Sequence, residues 1–559
     1  MTDTHWGARA GIGLGLTLLI CTLLPAQGET EGWSLFPPLC AILVGILSGR
    51  LVIGLTAAVV GSAAIASTEI TLPAIAWDAI ATAGVDYLWG QVTGEFSLYI
   101  LGFTVALIGM VRVTSLAGGN AGIADLLAGG AGGARSARKA TVFLGFAIFF
   151  DDYANTIVAG STMRPITDRF RVSREKLAYL VDSTAAPVAG IAIISTWIGY
   201  EVGLFEGLMT DLGTGVSGYG LFFMALPARF YCLLALVFVV VSTWSGRDFG
   251  PMLKAERRAK ETGQVLREGA RPLTGRQAGV AATPDIDPAW WIAALPVIAV
   301  VFTVITGVAL DAADSEAVKV ARAQSGLLSS KYWAASFSNA NSGRVLFNAA
   351  LIGSVLALLL ATFRRDIKGT RPITLWSALT TYGRGVVGIH YAIAILVLAW
   401  AIKEACTDVG TADYLTAILS PLISPAILPL LIFLLAATVA FSIGTSWATM
   451  AILVPTLVPL AHNLGGLPLT ILAAAAVLDG AIFGDHCSPI SDTTVMSSIA
   501  SSCDHLDHVR TQIPYALTTM GCAALFGYLG AATLYPAWVG ALLGAVAITT
   551  LIFTFGKRI

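Results

Sequence analysis

The chain has 559 residues, of which 56% are hydrophobic and only 12% are charged, and its mean hydropathy is +0.79. This composition excludes a soluble domain of this size and indicates a membrane protein with several spanning helices. The net charge of −1 predicts no nucleic-acid partner, and the seven cysteines show no paired spacing, so we expect neither disulfides nor a zinc site.

Apolar segments of spanning length follow one another from the N-terminus. Residues 10–26 predict a first helix rather than a cleaved secretion signal, because the following Pro-Ala-Gln-Gly is a poor small-residue cleavage site. We therefore assign residues 1–34 to an N-terminal helix and residues 536–559 to a C-terminal helix. The predicted spans between these ends are 35–49, 51–67, 94–116, 141–163, 177–198, 218–244, 290–310, 345–363, 385–404, 429–460, 469–500 and 513–534.

Basic residues concentrate in a few loops, and the positive-inside rule places these loops and both termini in the cytoplasm. The same reasoning places Glu201, Glu206 and the acidic stretch 311–316 outside. The basic loops contain Arg135, Arg138 and Lys139; Arg164 to Lys176; Arg247 to Arg276; Arg364, Arg365, Lys368 and Arg371; and Lys557 with Arg558.

Segment 141–163 is apolar enough to span, yet basic loops flank it on both sides. Because both loops are predicted on one side of the membrane, the segment should enter and return as a re-entrant hairpin. Such backbone is tolerated in a membrane where it is buried against protein or lines a water-filled cavity. The segment therefore predicts a hairpin whose tip carries the polar residues Asp151, Asp152, Asn155 and Thr156.

One clear polar linker, residues 246–287, divides the chain near its middle, and its two sides resemble each other weakly. The matches, in the same order on both sides, are Trp77 with Trp376, Pro165 with Pro455, and Pro187 with Pro489. Opposite charges at the ends of matching spans indicate that the copies are inverted. Residues 35–245 and 288–535 are thus predicted as inverted-topology repeats, each with a re-entrant hairpin and a discontinuous helix, as in alternating-access transporters.

The predicted span 469–500 contains three carboxylates, one imidazole and a row of hydroxyls in otherwise apolar sequence. Ionisable groups in a spanning segment indicate a polar pathway, and Gly484 and Pro489 predict that the helix is interrupted. Freed carbonyls, hydroxyls and carboxylates form an all-oxygen set that suits a small hard cation. The alternative, a helix end and surface loop, is disfavoured because the flanking sequence is long and apolar.

Candidate ion- or substrate-binding residues come from both hairpins and both interrupted helices. They are Asp151, Asp152, Asn155, Thr156, Asp182, Ser183, Thr184, Thr445, Ser446, Asp485, His486, Ser488, Asp492 and Thr493. The ligands predicted for Na⁺ itself are Asp152, Asn155, Asp485, Ser488 and Asp492. Because neighbouring buried carboxylates resist full ionisation, cation binding should release protons, and this competition is the physical basis of antiport.

Three features leave alternatives open. His486 is predicted either as a pH sensor or relay, or simply as a hydrogen-bonding group. Lys403 could neutralise the site carboxylates when no cation is bound, or extend to the membrane interface. The run 504–510 resembles metal-ligand spacing, but its place in a predicted cytoplasmic loop favours a solvated helix start.

Five stretches carry a family resemblance: Phe-Phe-Asp-Asp-Tyr-Ala-Asn-Thr (149–156), Gly-Ser-Thr-Met-Arg-Pro-Ile-Thr-Asp (160–168), residues 173–189, Ser-Thr-Trp-Ile-Gly-Tyr-Glu (195–201) and Phe-Gly-Asp-His-Cys-Ser-Pro-Ile-Ser-Asp-Thr-Thr (483–494). They resemble motifs of the NhaC family of sodium/proton antiporters, and the resemblance covers most of residues 35–535. It implies an inverted-repeat fold with hairpin-bearing transport regions, often as a homodimer. It leaves the substrate open, since similar proteins include exchangers of organic acids or amino acids with sodium.

We therefore predict an all-α polytopic inner-membrane antiporter that exchanges cytoplasmic Na⁺, with Li⁺ as an alternative cation, for external H⁺. Its predicted partners are membrane lipid, Na⁺ and H⁺, and no cofactor is expected. The main alternative is a Na⁺- or H⁺-coupled carrier of a small organic anion or amino acid. A channel is a weaker third reading, and an enzyme the weakest, since nucleotide-binding, protease and lipase motifs do not occur.

Overall fold

The structure, a computed structural model, describes residues 6–25, 31–48, 50–128, 132–272, 283, 286–365, 369–388, 390–419, 421, 423–489 and 491–559. Within these ranges seven helices are long and apolar enough to cross a membrane, or eight if Gly218–Ala228 and Phe230–Ser245, bent by 47°, form one span. The prediction of an all-α polytopic membrane protein is therefore confirmed. Residues 273–282, 284 and 285 of the predicted linker lie outside the described residues.

Helices form most of the first half of the chain. A 3₁₀ turn (Gly32–Leu35) precedes the second helix, a π-helix (Thr82–Trp89) joins the fourth to the fifth, and Leu226–Ala228 forms a further 3₁₀ turn. The α-helices are α1 (Trp6–Leu23), α2 (Phe36–Ser48), α3 (Leu51–Ala66), α4 (Leu72–Ala81), α5 (Gly90–Val92), α6 (Glu95–Leu116), α7 (Gly119–Ala128), α8 (Ala134–Ala147), α9 (Asp152–Arg169), α10 (Arg174–Ala189), α11 (Thr196–Asp211), α12 (Gly218–Ala225) and α13 (Phe230–Ser245).

The second half begins with the short strand β1 (Arg247–Asp248), and a π-helix (Ala523–Leu529) lies near its end. The helices that follow β1 are α14 (Gly250–Thr262), α15 (Trp291–Asp311), α16 (Glu316–Ser325), α17 (Ser330–Asn339), α18 (Ser342–Phe363), α19 (Leu375–Gly388), α20 (His390–Asp408), α21 (Thr411–Leu419), α22 (Leu428–Ile443), α23 (Ser446–Cys487), α24 (Asp492–Ala500), α25 (His505–Cys522), α26 (Gly530–Thr533) and α27 (Ala537–Phe555), and the chain ends with β2 (Lys557–Arg558).

Two helix interruptions in the first half separate α8 from α9 and α10 from α11. The first occupies residues 148–151, inside the predicted hairpin 141–163. The second occupies residues 190–195 and ends at Ser195, which caps α11 by accepting a hydrogen bond from the N–H of Ile198 at 3.3 Å. Both interruptions lie next to candidate residues of the first half in the sequence.

Two further interruptions separate α22 from α23 and divide α23 itself. α22 ends at Gly444, whose φ of 77° lies in the left-handed region that favours glycine after a helix. Within α23, Gly465 and Gly466 have non-helical dihedral angles. α23 therefore consists of two consecutive helices that are joined by a kink at these glycines. The chain therefore reverses or bends twice between residues 443 and 467.

The helix interruption expected at Pro489 is present. α23 ends at Cys487, and α24 begins at Asp492 after its N-cap, Ser491, whose Oγ accepts a hydrogen bond from the N–H of Thr494 at 3.3 Å. Four pairs of helix ends therefore occur where the sequence places hairpins and discontinuous helices. The re-entrant paths and the inverted relation of the two halves remain predictions.

α22 packs closely along the second part of α23, and glycine permits this approach. A Cβ on Gly480 would lie 2.5 Å from the carbonyl oxygen of Phe433, and one on Gly484 would lie 2.5 Å from that of Ala437. Close backbone packing through small residues is typical of membrane helices. This contact brings the end of α22 beside the end of α23, where the candidate residues lie.

The linker is anchored to the helices that carry the site. β1 pairs antiparallel with β2, and the buried Glu256 of α14 accepts hydrogen bonds from the backbone N–H and Oγ of Ser173 at 2.8 and 2.7 Å. Glu256 also pairs with Arg138 at 3.0 Å. Burial raises the pKa of the Glu256 carboxyl, and the charge of Arg138 opposes this shift. α14 therefore ties the linker to the starts of α8 and α10.

Candidate functional site

The end of α23 carries a buried carboxylate held between two hydroxyl groups. The Asp485 side chain is 1% exposed, and its oxygens accept hydrogen bonds from Ser446 Oγ at 2.8 Å and Ser491 Oγ at 2.5 Å. Ser446 begins α23 just after the turn that follows α22, whereas Ser491 caps α24. Both ends of α23 and the start of α24 therefore meet at one carboxylate and surround it with oxygen atoms.

Two more candidate residues belong to this meeting point. Ser488 Oγ donates a hydrogen bond to the carbonyl of Phe441 at 2.8 Å, and Thr493 Oγ1 lies 3.0 Å from Ser491 Oγ. Thr445 occupies the turn itself and has an extended backbone with φ −155°. The last turn of α22 and the gap after α23 are thus joined by a direct hydrogen bond.

α10 contributes a second buried carboxylate. Asp182 is 1% exposed, its Oδ2 accepts hydrogen bonds from Gln512 Nε2 at 2.6 Å and Thr494 Oγ1 at 3.3 Å, and its Oδ1 accepts one from Ser497 Oγ at 3.1 Å. Thr494 Oγ1 also lies 3.2 Å from the carbonyl oxygen of Asp485. A single hydroxyl therefore contacts both acidic residues.

His486 joins four helices through its imidazole and its backbone carbonyl. Its Nε2 lies 2.8 Å from Ser183 Oγ on α10, and its Nδ1 lies 2.7 Å from the hydroxyl of Tyr231 on α13. The amide of Gln512 on α25 donates to the His486 carbonyl. The ring thus makes the hydrogen bonds that one of the two sequence alternatives anticipates, and a role as pH sensor or relay remains a prediction.

The turn between α8 and α9 is held by an asparagine. Asn155 Nδ2 lies 2.7 Å from the carbonyl oxygen of Gly145, 2.8 Å from that of Thr184 and 3.3 Å from that of Ile148. Its Oδ1 is buried and accepts no hydrogen bond from the residues that the structure describes. The amide nitrogen therefore fastens the turn to α10, and the amide oxygen is available to a ligand.

The predicted residues fall into two groups. Hydrogen bonds and shared partners join Asp182, Ser183, Ser446, Asp485, His486 and Thr493, and Ser488 and Thr445 lie beside them. The second group lies buried around the turn after α8 and comprises Asp151, Asp152, Asn155 and Thr156, with the Thr184 carbonyl as its link to α10. The side chain of Asp492 lies outside the described part of the chain. That these residues bind an ion remains a prediction.

Four polar residues of the first group are missed by the sequence analysis. Ser491, Thr494 and Ser497 follow the interruption at a spacing of three, which places them on one face of α24. The fourth, Gln512, lies four residues after His508 and so shares a face of α25 with it. For Ser491, Thr494 and Ser497 this spacing is a signal that the sequence contains, whereas Gln512 lies on α25 and no spacing links it to the interrupted helix.

The interpretation of residues 504–510 as a solvated helix start is only partly right. α25 does begin at His505, and Asp504 caps it by accepting hydrogen bonds from the N–H groups of Leu506 and Asp507 at 3.0 and 3.2 Å. His508, however, is fully buried, and its Nε2 lies 3.8 Å from Asp182 Oδ2. One turn of helix is enough to carry the chain from the surface into the site.

A second set of buried charges lies beside the site. Arg229 Nε donates to Asp479 Oδ1 at 2.9 Å, and Arg229 Nη1 lies 3.4 Å from Glu201 Oε1. Asp479 Oδ2 also accepts from the N–H of Tyr231 at 2.6 Å and the hydroxyl of Tyr528 at 2.7 Å. Glu201, expected in a loop outside the membrane, instead lies on α11 and is fully buried against Arg229. Asp479, expected to line a polar pathway, is instead engaged by these donors.

Lys403 is balanced by nearby carboxylates. Its Nζ lies 2.6 Å from Asp211 Oδ2 and 2.8 Å from Glu404 Oε1. Glu404 also accepts a hydrogen bond from Gln91 at 3.0 Å. In this structure the charge of Lys403 is therefore matched by Asp211 and Glu404 rather than by the candidate site residues.

Comparison with known proteins places this geometry in context. The family model described as the Na⁺/H⁺ antiporter family matches residues 188–531. An uncharacterised protein of Haemophilus influenzae is 31% identical over 529 residues, which are 94% of this chain and 96% of that protein. A malate-2H⁺/Na⁺-lactate antiporter of Bacillus subtilis is 52% identical over 48 residues, only 9% of this chain and 10% of that protein. The YdaH transporter of Alcanivorax borkumensis has 13% identity and a TM-score of 0.55 over 95% of this chain and 98% of its own, which indicates a shared fold.

Proposed function

This chain belongs to the Na⁺/H⁺ antiporter family and is a multi-pass membrane transporter of the secondary antiporter class, and from that premise we propose that it exchanges cytoplasmic Na⁺ for external H⁺. The observation that carries the proposal is the carboxylate of Asp485, buried in a spanning segment between the hydroxyls of Ser446 and Ser491. Ionisable groups at such depth are costly and mark ion pathways.

The oxygen atoms around Asp485 suit a small hard cation. With no cation bound, both hydroxyls donate to the carboxylate, and in the proposed bound state their lone pairs turn toward Na⁺ while the carboxylate balances its charge. Ser488, Asp152, Asn155 and Asp492 complete the proposed ligand set. A proton on Asp485 removes the balancing charge, so Na⁺ and H⁺ exclude each other at this residue.

Exchange of a small organic acid is the second candidate. It is favoured by the 48-residue similarity to the malate-2H⁺/Na⁺-lactate antiporter. The contacts of Asn155 speak against the binding mode expected from sequence, because its amide nitrogen already faces three carbonyl oxygens and has no hydrogen left for an organic carboxylate. We therefore favour Na⁺ as the transported species.

The proposal includes an arrangement in the membrane. Residues 35–245 and 288–535 act as inverted repeats around the site, and the protein lies in the inner membrane as a homodimer with cytoplasmic termini. Its support is that each half contains a pair of helices joined by a short turn next to an interrupted helix. Transporters built in this way bind their ions where the interrupted helices meet.

The test uses purified protein in vesicles that enclose a pH-sensitive dye. External Na⁺ should change the internal pH in vesicles with the wild-type protein, because inward Na⁺ movement drives H⁺ outward. Asp485→Asn should reduce this flux to the level of protein-free vesicles, since the neutral amide can neither balance the charge of Na⁺ nor take up a proton. Asp413→Asn is the matched control, because Asp413 is an exposed aspartate on α21.

Malate, lactate and cations other than Na⁺, each added separately, distinguish the two candidate functions. A response to Na⁺ alone, lost in Asp485→Asn and kept in Asp413→Asn, supports Na⁺/H⁺ exchange. A response that appears only when malate or lactate is present would replace the proposal with the second candidate. Retention of Na⁺-driven flux in Asp485→Asn would remove Asp485 from the site.

A further inference from the structure

Two histidines of α25 converge on one hydroxyl group. Ser498 Oγ on α24 lies 3.0 Å from His505 Nδ1 and 2.9 Å from His508 Nδ1. His505 is half-buried at the start of the helix, whereas His508 is fully buried and reaches within 3.8 Å of Asp182 Oδ2. The four side chains therefore lie in a row from the protein surface to a carboxylate of the candidate site, with one gap of 3.8 Å before that carboxylate.

The outer contacts of the two rings fix one hydrogen on each. His505 Nε2 lies 2.7 Å from the carbonyl oxygen of Pro489, which can only accept, so this nitrogen carries a hydrogen. The amide nitrogen of Gln512 donates to Asp182, so its Oε1 is the atom 2.8 Å from His508 Nε2. His508 Nε2 therefore carries a hydrogen as well, and both Nδ1 atoms face Ser498.

The hydroxyl between the rings has a single proton for three acceptors. Besides the two Nδ1 atoms, Ser498 Oγ lies 2.9 Å from the Thr494 carbonyl, one turn earlier on α24. If both rings were neutral, at least one Nδ1 lone pair would face the hydroxyl oxygen without a proton between them. One additional proton removes this conflict, because one ring then donates to Ser498 while Ser498 donates to the other.

We propose that His505, Ser498 and His508 form a proton relay between the protein surface and Asp182. With the additional proton, His505 is an imidazolium with hydrogens on both Nε2 and Nδ1, and its Nδ1 proton moves to Ser498 Oγ as the hydroxyl proton moves to His508 Nδ1. The Nε2 proton of His508 then passes to Asp182 Oδ2, so that one N–H bond breaks, one O–H bond forms, and imidazolium and carboxylate both become neutral. This inference rests on the proposed function, to which it adds Asp182 as a second proton-binding carboxylate beside Asp485.

The last step of the relay is a point of control. The 3.8 Å gap between His508 and Asp182 exceeds a hydrogen bond, so transfer requires the two side chains to approach each other. Thr494 links this step to the cation site, because its hydroxyl contacts Asp182 and the Asp485 backbone. Protonation of Asp182 would thereby change the hydrogen bonding next to Asp485.

Other titratable groups near the relay are few among the described side chains. Facing His508 are Asp182 on α10, His486 on α23 and His505 on its own helix, while α24 presents the hydroxyls of Ser497 and Ser498. Near His505, Asp507 is paired with Arg267 at 2.9 Å, and Asp504 caps the helix. The pH dependence of relayed flux should therefore reflect the imidazole pair.

The test compares two fluxes through the same vesicles. Na⁺-driven pH change requires proton transfer, whereas exchange of radioactive Na⁺ for unlabelled Na⁺ at equal concentrations does not. In His508→Gln and Ser498→Ala, the first flux should fall by about tenfold or more while the second is unchanged, since proton transfer by a positioned group contributes at least this much to rate. His390→Gln is the control, because His390 is an exposed histidine at the start of α20.

Each outcome either supports or overturns the proposed proton relay. Loss of Na⁺-driven pH change with retained Na⁺/Na⁺ exchange supports it, and retention of both fluxes in the two variants overturns it. Loss of both in a variant that elutes like the wild type assigns the residue to the cation site and also overturns it. If the wild type shows no Na⁺-driven pH change, the proposed function fails, and the variants are compared in the pH change driven by malate or lactate.

Discussion

Buried charges in this protein are of two kinds, and the difference lies in their immediate partners. The Arg229 guanidinium is fully buried between the carboxylates of Asp479 and Glu201, and donors from Tyr231 and Tyr528 complete the cluster. The hydroxyls that hold Asp485 and Asp182, by contrast, are neutral groups that can rotate to serve a cation. The first arrangement stabilises the fold, and the second is suited to exchange.

Replacing Arg229 tests the stabilising role. Arg229→Met should lower the free energy of unfolding by about 3–5 kcal/mol, because it leaves two carboxylates buried without their cation. The measurement is thermal unfolding in detergent, followed with a dye that becomes fluorescent on reaction with thiols. This readout suits the chain because all seven cysteines are buried and unpaired in the native structure.

The matched control is Arg322→Met, which removes an exposed arginine from α16 and should leave the unfolding temperature unchanged. Glu201→Gln should cost less than Arg229→Met, since Asp479 then remains paired with Arg229 at 2.9 Å. An Arg229→Met protein that unfolds at the wild-type temperature would contradict the stabilising role of the cluster.

At the level of elements, the site depends on how closely α22 and α23 approach. Gly484 lies one residue before Asp485, and the backbone of α22 occupies the space where its side chain would project. The same contact places the Phe441 carbonyl within 2.8 Å of Ser488 Oγ. Any side chain at Gly484 would therefore separate the two interrupted segments at the cation site.

Gly484→Ala should raise the Na⁺ concentration needed for half-maximal flux and lower stability by about 1–3 kcal/mol, because the added methyl group meets the Ala437 carbonyl. The measurements are Na⁺-driven pH change over a range of Na⁺ concentrations and thermal unfolding. Gly521→Ala on α25 is the control, since its Cβ would meet no atom within 4 Å and helix propensity favours alanine by up to about 1 kcal/mol. Equal behaviour of the two variants would show that close packing at Gly484 is unimportant.

Sequence predicts the interruptions well because their signals are local. Pro489 removes a backbone donor, and Gly444 adopts a positive φ, so each ends a helix without reference to the rest of the fold. The partners of the site residues are not local. Ser183 and His486 are 303 positions apart, and Asp182 and Gln512 are 330 positions apart. Glu201 is a further case, since Arg229, which balances its charge, lies 28 positions later, just before α13.

At the scale of the whole molecule, the strand pair fixes which parts of the chain share a side of the membrane. β1 of the linker is hydrogen-bonded to β2 at the C-terminus, so linker and C-terminus lie on one face. α15 is long and apolar enough to span, and it separates the end of the linker from the acidic stretch 311–316. The two regions should therefore face opposite sides.

Single cysteines introduced at exposed positions test this topology. Gln264→Cys and Lys557→Cys should react with a membrane-impermeant maleimide from the same side, predicted as the cytoplasm, and Asp314→Cys should react from the other side. The native cysteines give little background because they are buried. Reaction of Asp314→Cys and Lys557→Cys from one side would show that α15 does not span.

The pairing of β1 with β2 also has a topological consequence. It connects Asp248 to Lys557 without a covalent bond, and so encloses more than half of the chain in one ring. Cutting the backbone between Pro272 and Thr283 would open this ring at a single point. The two fragments would still share the hydrogen bonds of the ribbon and the packing of α27 against α13. The two fragments should therefore stay associated after the cut, because contacts other than the peptide bond hold them together.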